Sequence, residues 1–169
     1  MGTPRRTSPT MMKQVRVYSV ALIPQLGQYL VTLEEMDGIR LIPIWVGPAE
    51  GMAIGAKLDG QKFPRPITHD LMANILNKLN AKIKKVTVTD LKDSTFYAII
   101  TLTVNGNTIE IDSRPSDSIA MAVRTNSPIF VNDIVFEKCP VIQKPITEKE
   151  IKDFKENLGN LKPEDFFKA

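Results

Sequence analysis

Gly47-Pro48-Ala49-Glu50-Gly51-Met52-Ala53 and Arg114-Pro115-Ser116-Asp117-Ser118-Ile119-Ala120 align at a constant offset of 67 residues, and Lys57 matches Arg124 at the same offset. In both stretches a proline stands where a helix can begin, because its missing N–H has no partner in a first turn anyway. An acid follows two residues later, then small and apolar residues. Each copy also comes after a hairpin signal, Asp37-Gly38 in one case and Asn105-Gly106 in the other. The chain is therefore expected to hold a duplicated unit of β-strands followed by helices. Strands of both halves would form one or two mixed or antiparallel sheets with the helices packed on them, an α+β fold.

Around these stretches, Val15 to Leu22, Tyr29 to Leu33 and Ile39 to Val46 have the composition of strands, and Gly47-Pro48 ends the third. Thr68 is placed as the N-cap of a second helix, in which Leu71, Met72, Ile75, Leu76 and Leu79 recur at helical spacing. Val86 to Thr89 again reads as a strand. Phe96, Ala98, Ile100, Leu102 and Val104 alternate along another, and Ile109 and Ile111 continue on its hairpin partner. Pro145-Ile146-Thr147 echoes Pro66-Ile67-Thr68, and Thr147 with Glu150 forms a capping-box pattern at the start of a last helix.

Length and composition fit one domain with a real core: 169 residues, 43% hydrophobic and 24% charged. No apolar run approaches the roughly 18 residues of a membrane span and the N-terminus lacks a signal-peptide pattern, so a cytoplasmic location is expected. A single cysteine, Cys139, allows no intramolecular disulfide, and with one histidine there is no Cys/His zinc cluster. Cys139 precedes Pro140 and is expected to be a packing residue. The 22 Lys and Arg exceed the 19 Asp and Glu by the three basic residues ahead of Gln14, namely Arg5, Arg6 and Lys13. A phosphate-binding groove in the formally neutral body would need local clustering of cations. Residues 1–12 are expected to be a disordered leader, 13–140 the domain, and 141–169 a C-terminal helix and tail completing it.

Leu41-Ile42-Pro43-Ile44-Trp45-Val46-Gly47-Pro48-Ala49-Glu50, Phe63-Pro64-Arg65-Pro66-Ile67-Thr68-His69-Asp70-Leu71, Asp93-Ser94-Thr95-Phe96-Tyr97-Ala98 and Ile111-Asp112-Ser113-Arg114-Pro115-Ser116-Asp117, followed by Pro128-Ile129-Phe130-Val131, resemble the signature blocks of the bifunctional nuclease family. The ending with Pro163-Glu164-Asp165-Phe166 resembles that of bacterial members. Gly51 and Ser118 stand where the family more often has alanine. The resemblance implies an α+β domain and the nuclease activity on DNA and RNA attributed to plant relatives. It supplies no catalytic residues.

Phosphodiester hydrolysis needs a positioned water, a base or metal to activate it, and cations to stabilise charge on phosphorus. His69, Asp70 and Asp117 are the catalytic candidates; Arg65, Arg114 and Arg124 are the phosphate-binding ones. Glu50 and Asp112 are candidate ligands for Mg2+ or Mn2+, which take oxygen donors. Arg65, His69, Asp70, Arg114 and Asp117 are expected to line one cleft. Each has a structural alternative. Glu50, Asp70 and Asp117 fall in first helical turns, where an acid caps free N–H groups and offsets the dipole. His69 can hydrogen-bond within its own turn. Arg65 and Arg114, stiffened by adjacent prolines, can pair with Asp112 or Asp117. Trp45 is expected in the core. Two functions stay open: a nuclease acting on nucleic acid, or a non-catalytic binding or regulatory domain that assembles as an oligomer such as a homodimer.

Overall fold

The computed structural model describes residues 11–140, 142–145, 147–160 and 162. Strands β1 (Met12–Ile23), β2 (Gln28–Glu35) and β3 (Arg40–Val46) form an antiparallel meander that leads into α1 (Pro48–Leu58) and α2 (Thr68–Lys78). A second meander, β4 (Ala81–Lys92), β5 (Thr95–Val104) and β6 (Asn107–Ser113), leads into α3 (Pro115–Thr125). Its hairpins turn at Asp93-Ser94 and Asn105-Gly106, all four residues at positive φ, which matches the right-handed twist of the flanking strands. The chain finishes with β7 (Ile129–Asn132), α4 (Asp133–Lys138), β8 (Ile142–Gln143) and α5 (Glu148–Leu158).

All strands join one sheet in the order β6-β5-β4-β7-β1-β2-β3-β8. β7 pairs parallel with β4 and antiparallel with β1, so β1 and β4 run in opposite directions on either side of it. The two meanders are thus arranged about a pseudo-twofold axis that passes near β7, normal to the sheet. The expected duplication becomes a single mixed sheet. Helices α1 and α3 start at equivalent prolines, contain 11 residues each and pack against one another.

The faces are sorted by side-chain alternation. Val31 and Leu33 of β2, Ile42 and Ile44 of β3, Val86 and Val88 of β4 and Ile100 and Leu102 of β5 pack with Ile54 of α1 and Ile119 of α3. Leu30 and Trp45, on the opposite face, pack with Leu158 and Phe154 of α5, so Trp45 is a packing residue, as expected. Among the described residues no helix is long and apolar enough to cross a membrane.

Several boundaries move. Met12, assigned to the leader, opens β1 opposite Asn132, and Asp133 donates its N–H to the Met11 carbonyl. Pairing with β7 extends the strand where no periodicity marks it. The rest of the leader, residues 1–10, and the tail residues 163–169 lie outside the described residues. Thr68 is the first helical residue of α2, not its cap; Ile67 takes that place, and Asp70 Oδ2 accepts the Ile67 N–H at 3.1 Å. Thr147 does cap α5, with Glu150 accepting the Thr147 N–H in return. The echo between the two proline-threonine segments is therefore one of capping chemistry: α2 packs beside α3 and α5 on the opposite face.

Candidate functional site

Three helix starts meet at one cleft of about 450 Å3. Glu50 comes from α1, His69 from α2, and Arg114 with Asp117 from α3; Asp112 of β6 stands at its side. Proline at the first position of α1 and α3 fixes where those helices begin, so Glu50 and Asp117 occupy equivalent third positions. The N-terminal ends of helices carry partial positive charge, and three of them point toward this space.

Arg114 is its centre. Its Nε donates to Asp117 Oδ2 at 2.8 Å, and a terminal nitrogen donates to Glu50 Oε1 at 2.8 Å, across 64 residues of chain. The residue equivalent to Arg114 in the first unit is Gly47. A Cβ there would lie 2.6 Å from Glu50 Oε2, so glycine leaves the carboxylate its place while one arginine serves both symmetry-related acids. The Arg114 side chain is still 65% exposed, with N–H groups left for a ligand.

Asp117 Oδ1 accepts from His69 Nε2 at 3.0 Å. His69 is 6% exposed, and among the described residues its Nδ1 is buried with no hydrogen-bond partner. Burial raises the Asp117 pKa, but the bonds from Arg114 and His69 outweigh it and hold the carboxyl below its usual 3.8. Arg114 is shifted up, chiefly by its bond to Asp117 and then by that to Glu50. Glu50 and Asp117 thus share Arg114 through their side chains, and the bonds to Arg114 and His69 take the place of the expected capping of backbone N–H groups as the contacts of Asp117.

The expected cleft is only partly assembled. Glu50, His69, Asp112, Arg114 and Asp117 line it. Asp70 does not; it accepts from Arg124 Nε at 2.7 Å. Arg124, expected to clamp phosphate, has a side chain only 5% exposed and also donates to the carbonyls of Ala120 and Ala53. It ties three helices together, because an arginine at the end of α3 is enclosed once α1 and α2 pack over it. Arg65 is exposed on the loop before α2 and is not among the residues lining the cleft.

What the sequence reading missed is the apolar wall, formed by Met52, Ile67, Met72, Ile100 and Ile111. Only the alternation of Ile109 and Ile111 hinted at it. A resident Mg2+ or Mn2+ does not fit these residues. Among the described residues no three His, Cys, Asp or Glu groups are gathered to hold a metal ion, and the Arg114 cation already stands between Glu50 and Asp117.

Comparison with known proteins agrees with the motif blocks. The family model described as the bifunctional nuclease domain matches residues 31–144. An uncharacterized protein of Mycobacterium tuberculosis is 34% identical over 164 residues, covering 92% of this chain and 98% of that protein. Bifunctional nuclease 1 of Oryza sativa subsp. japonica is 29% identical over 62% of this chain, and bifunctional nuclease 1 of Arabidopsis thaliana 30% identical over 60%. In each plant protein the matched part is 33% of its length. The family match spans more than half of the chain and takes in every residue of the cleft, and it places the chain in the bifunctional nuclease domain family.

Proposed function

We propose that the protein hydrolyses phosphodiester bonds of nucleic acid in the cleft where the starts of α1, α2 and α3 meet. The observation that carries this reading is Arg114, oriented by Glu50 and Asp117 yet largely open to solvent, at the convergence of three positive helix ends. Those are the elements that stabilise charge developing on a phosphate. The arginine's free N–H groups clamp the phosphate oxygens, a geometry to which guanidinium is suited. His69 takes a proton from the water that attacks phosphorus and returns it to the ester oxygen that leaves as the P–O bond breaks. With Nε2–H donated to Asp117, its Nδ1 keeps a free lone pair, and Asp117 stabilises the imidazolium formed. Because Nδ1 is buried, this role requires the start of α2 to shift when substrate binds. No step is routed through a metal.

The test is cleavage of labelled single-stranded and duplex DNA and RNA by highly purified protein, with and without EDTA. Arg114→Ala is expected to lower turnover at least tenfold, about 1.4 kcal/mol of lost transition-state stabilisation, with little change in melting temperature. Cleavage should persist in EDTA. A second reading rests on the same arginine: by joining Glu50 to Asp117 it also ties α1 to α3, as a residue of a non-catalytic binding domain would. If Arg114→Ala melts early but keeps full activity per folded molecule, or the wild type cleaves nothing, that reading replaces the first.

A further inference from the structure

Every residue from Lys57 to Pro66, the end of α1 and the loop that follows it, is exposed. Gln61 donates its N–H to the Ala56 carbonyl, which folds the loop back on α1. From there Phe63-Pro64-Arg65-Pro66 leads to α2, and each proline holds the residue before it, Phe63 or Arg65, to a narrow backbone range. The loop is thus shaped before anything binds, and ordering it costs little. Lys57, Lys62 and Arg65 stand against the single acid Asp59, a local excess of cations in a formally neutral body. Among the described residues none of the three is in an ion pair. Phe63 and Tyr97 are the exposed aromatic residues, at 40% and 42%. Lys92 lies over the Tyr97 ring at 5.5 Å, whereas among the described residues neither a ring nor a cation covers Phe63.

We infer that residues 57–66 dock an unpaired strand of nucleic acid: Phe63 stacks one base, and Lys57, Lys62 and Arg65 hold neighbouring phosphates. Cations interleaved with an uncovered ring are the chemistry of single-strand binding, because every base has a π-face and every nucleotide a charged phosphate. A duplex does not meet that demand, since its base faces are already stacked on one another. The placement beside the cleft agrees. Ile67 and Thr68 line the cleft. Arg65 is two residues from Ile67 and Phe63 four, so their Cα atoms lie within about 7 and 14 Å of the Ile67 Cα. Lys57 is near enough to Asp70, the neighbour of His69, to help lower its pKa. A strand seated on the loop runs on past the start of α2 toward Arg114. The inference rests on the nuclease reading for that path, and it assigns the substrate class, single-stranded DNA or RNA. Arg65, which does not line the cleft, thereby holds a phosphate outside it.

The test is fluorescence anisotropy of a labelled single strand of about 20 nucleotides with the full chain, read before cleavage accumulates and with strand integrity checked on a gel. The wild type is expected to bind it about tenfold more tightly than the matching duplex. Phe63→Ala and Phe63→Leu should each weaken binding about tenfold, and Phe63→Trp should keep it, because stacking needs a ring and not only an apolar side chain. Arg65→Ala should lower the slope of log K against log salt by about 0.7, the release from one phosphate contact. Lys149→Ala, the same change of charge on an exposed position of α5, should leave that slope as it is. A duplex bound as tightly as the single strand overturns the inference. So does Phe63→Leu binding like the wild type, or Arg65→Ala behaving like Lys149→Ala. Binding that depends on Phe63 in a wild type that cleaves nothing would sink the nuclease reading and leave the strand site standing. Cleavage of single strands with KM unchanged in Phe63→Ala would do the converse.

Discussion

A Cβ added at Gly51 would lie 2.2 Å from Tyr29 Cγ, which shows how closely α1 approaches β2. An alanine there cannot enter without moving that ring or the helix. Gly51→Ala is accordingly expected to destabilise the protein by about 1–3 kcal/mol, read from the midpoint of urea unfolding, although alanine is the better helix former. Arg124 provides the opposite case to Arg114. Buried and bonded to Asp70, Ala53 and Ala120, it should cost about 3 kcal/mol when changed to alanine, with cleavage per folded molecule unchanged. Early melting is the expected signature of Arg124→Ala, and lost turnover that of Arg114→Ala. A normal melting curve for Arg124→Ala would remove its structural role.

Helix α5 shows how local signals set an element and how far they reach. Thr147 Oγ1 accepts the Glu150 N–H and the Glu150 carboxylate accepts the Thr147 N–H, closing the reciprocal cap that the sequence announces. Thr147→Ala should cost about 1 kcal/mol in thermal or urea unfolding, and Thr147→Ser much less. No change in Thr147→Ala would mean that packing of Phe154 and Leu158 alone holds the helix. Helix α2 has an equally clear apolar periodicity, yet that stripe faces outward. Periodicity identifies an apolar face; it does not say whether the same chain or another one covers it.

Across the whole molecule, acids in ion pairs join neighbouring strands of the sheet and the helices packed on it. Burial raises the Glu34 pKa, but bonds from Lys144 and Arg16 outweigh it and bring it below the usual 4.5; the bond from Arg40 does so for Glu35. Asp70 and Asp117 are likewise lowered from 3.8, burial being outweighed by Arg124 and the Ile67 N–H in one case and by Arg114 and His69 in the other. A depressed folded-state pKa means that the unfolded chain takes up protons first as pH falls. The stabilisation is therefore complete above about pH 5 and is lost as pH drops through 4.5 and 3.8 toward the lowered values. Melting temperature should be flat between neutrality and about pH 5 and fall below about pH 4, with Glu34→Gln and Glu35→Gln flattening the acid limb. An acid limb as steep in both variants as in the wild type would assign it to other carboxylates.

Sequence alone determined the helix starts at Pro48 and Pro115, the hairpin at Asn105-Gly106, the inward alternation of β5 and the equivalence of Glu50 with Asp117. Each depends on residues within a few positions, where backbone sterics and side-chain period act directly. It also drew together His69, Arg114 and Asp117 as candidates. Tertiary structure alone decided that Arg114 spans 64 residues to Glu50, that His69 bonds Asp117, that Arg124 is enclosed and Arg65 is not in the cleft, and that Met12 belongs to the sheet. Those outcomes depend on β7 inserting between the two meanders and on the helix layer that follows from that strand order. Residue spacing carries no record of either, because pairing across the sheet is set by which strands become neighbours.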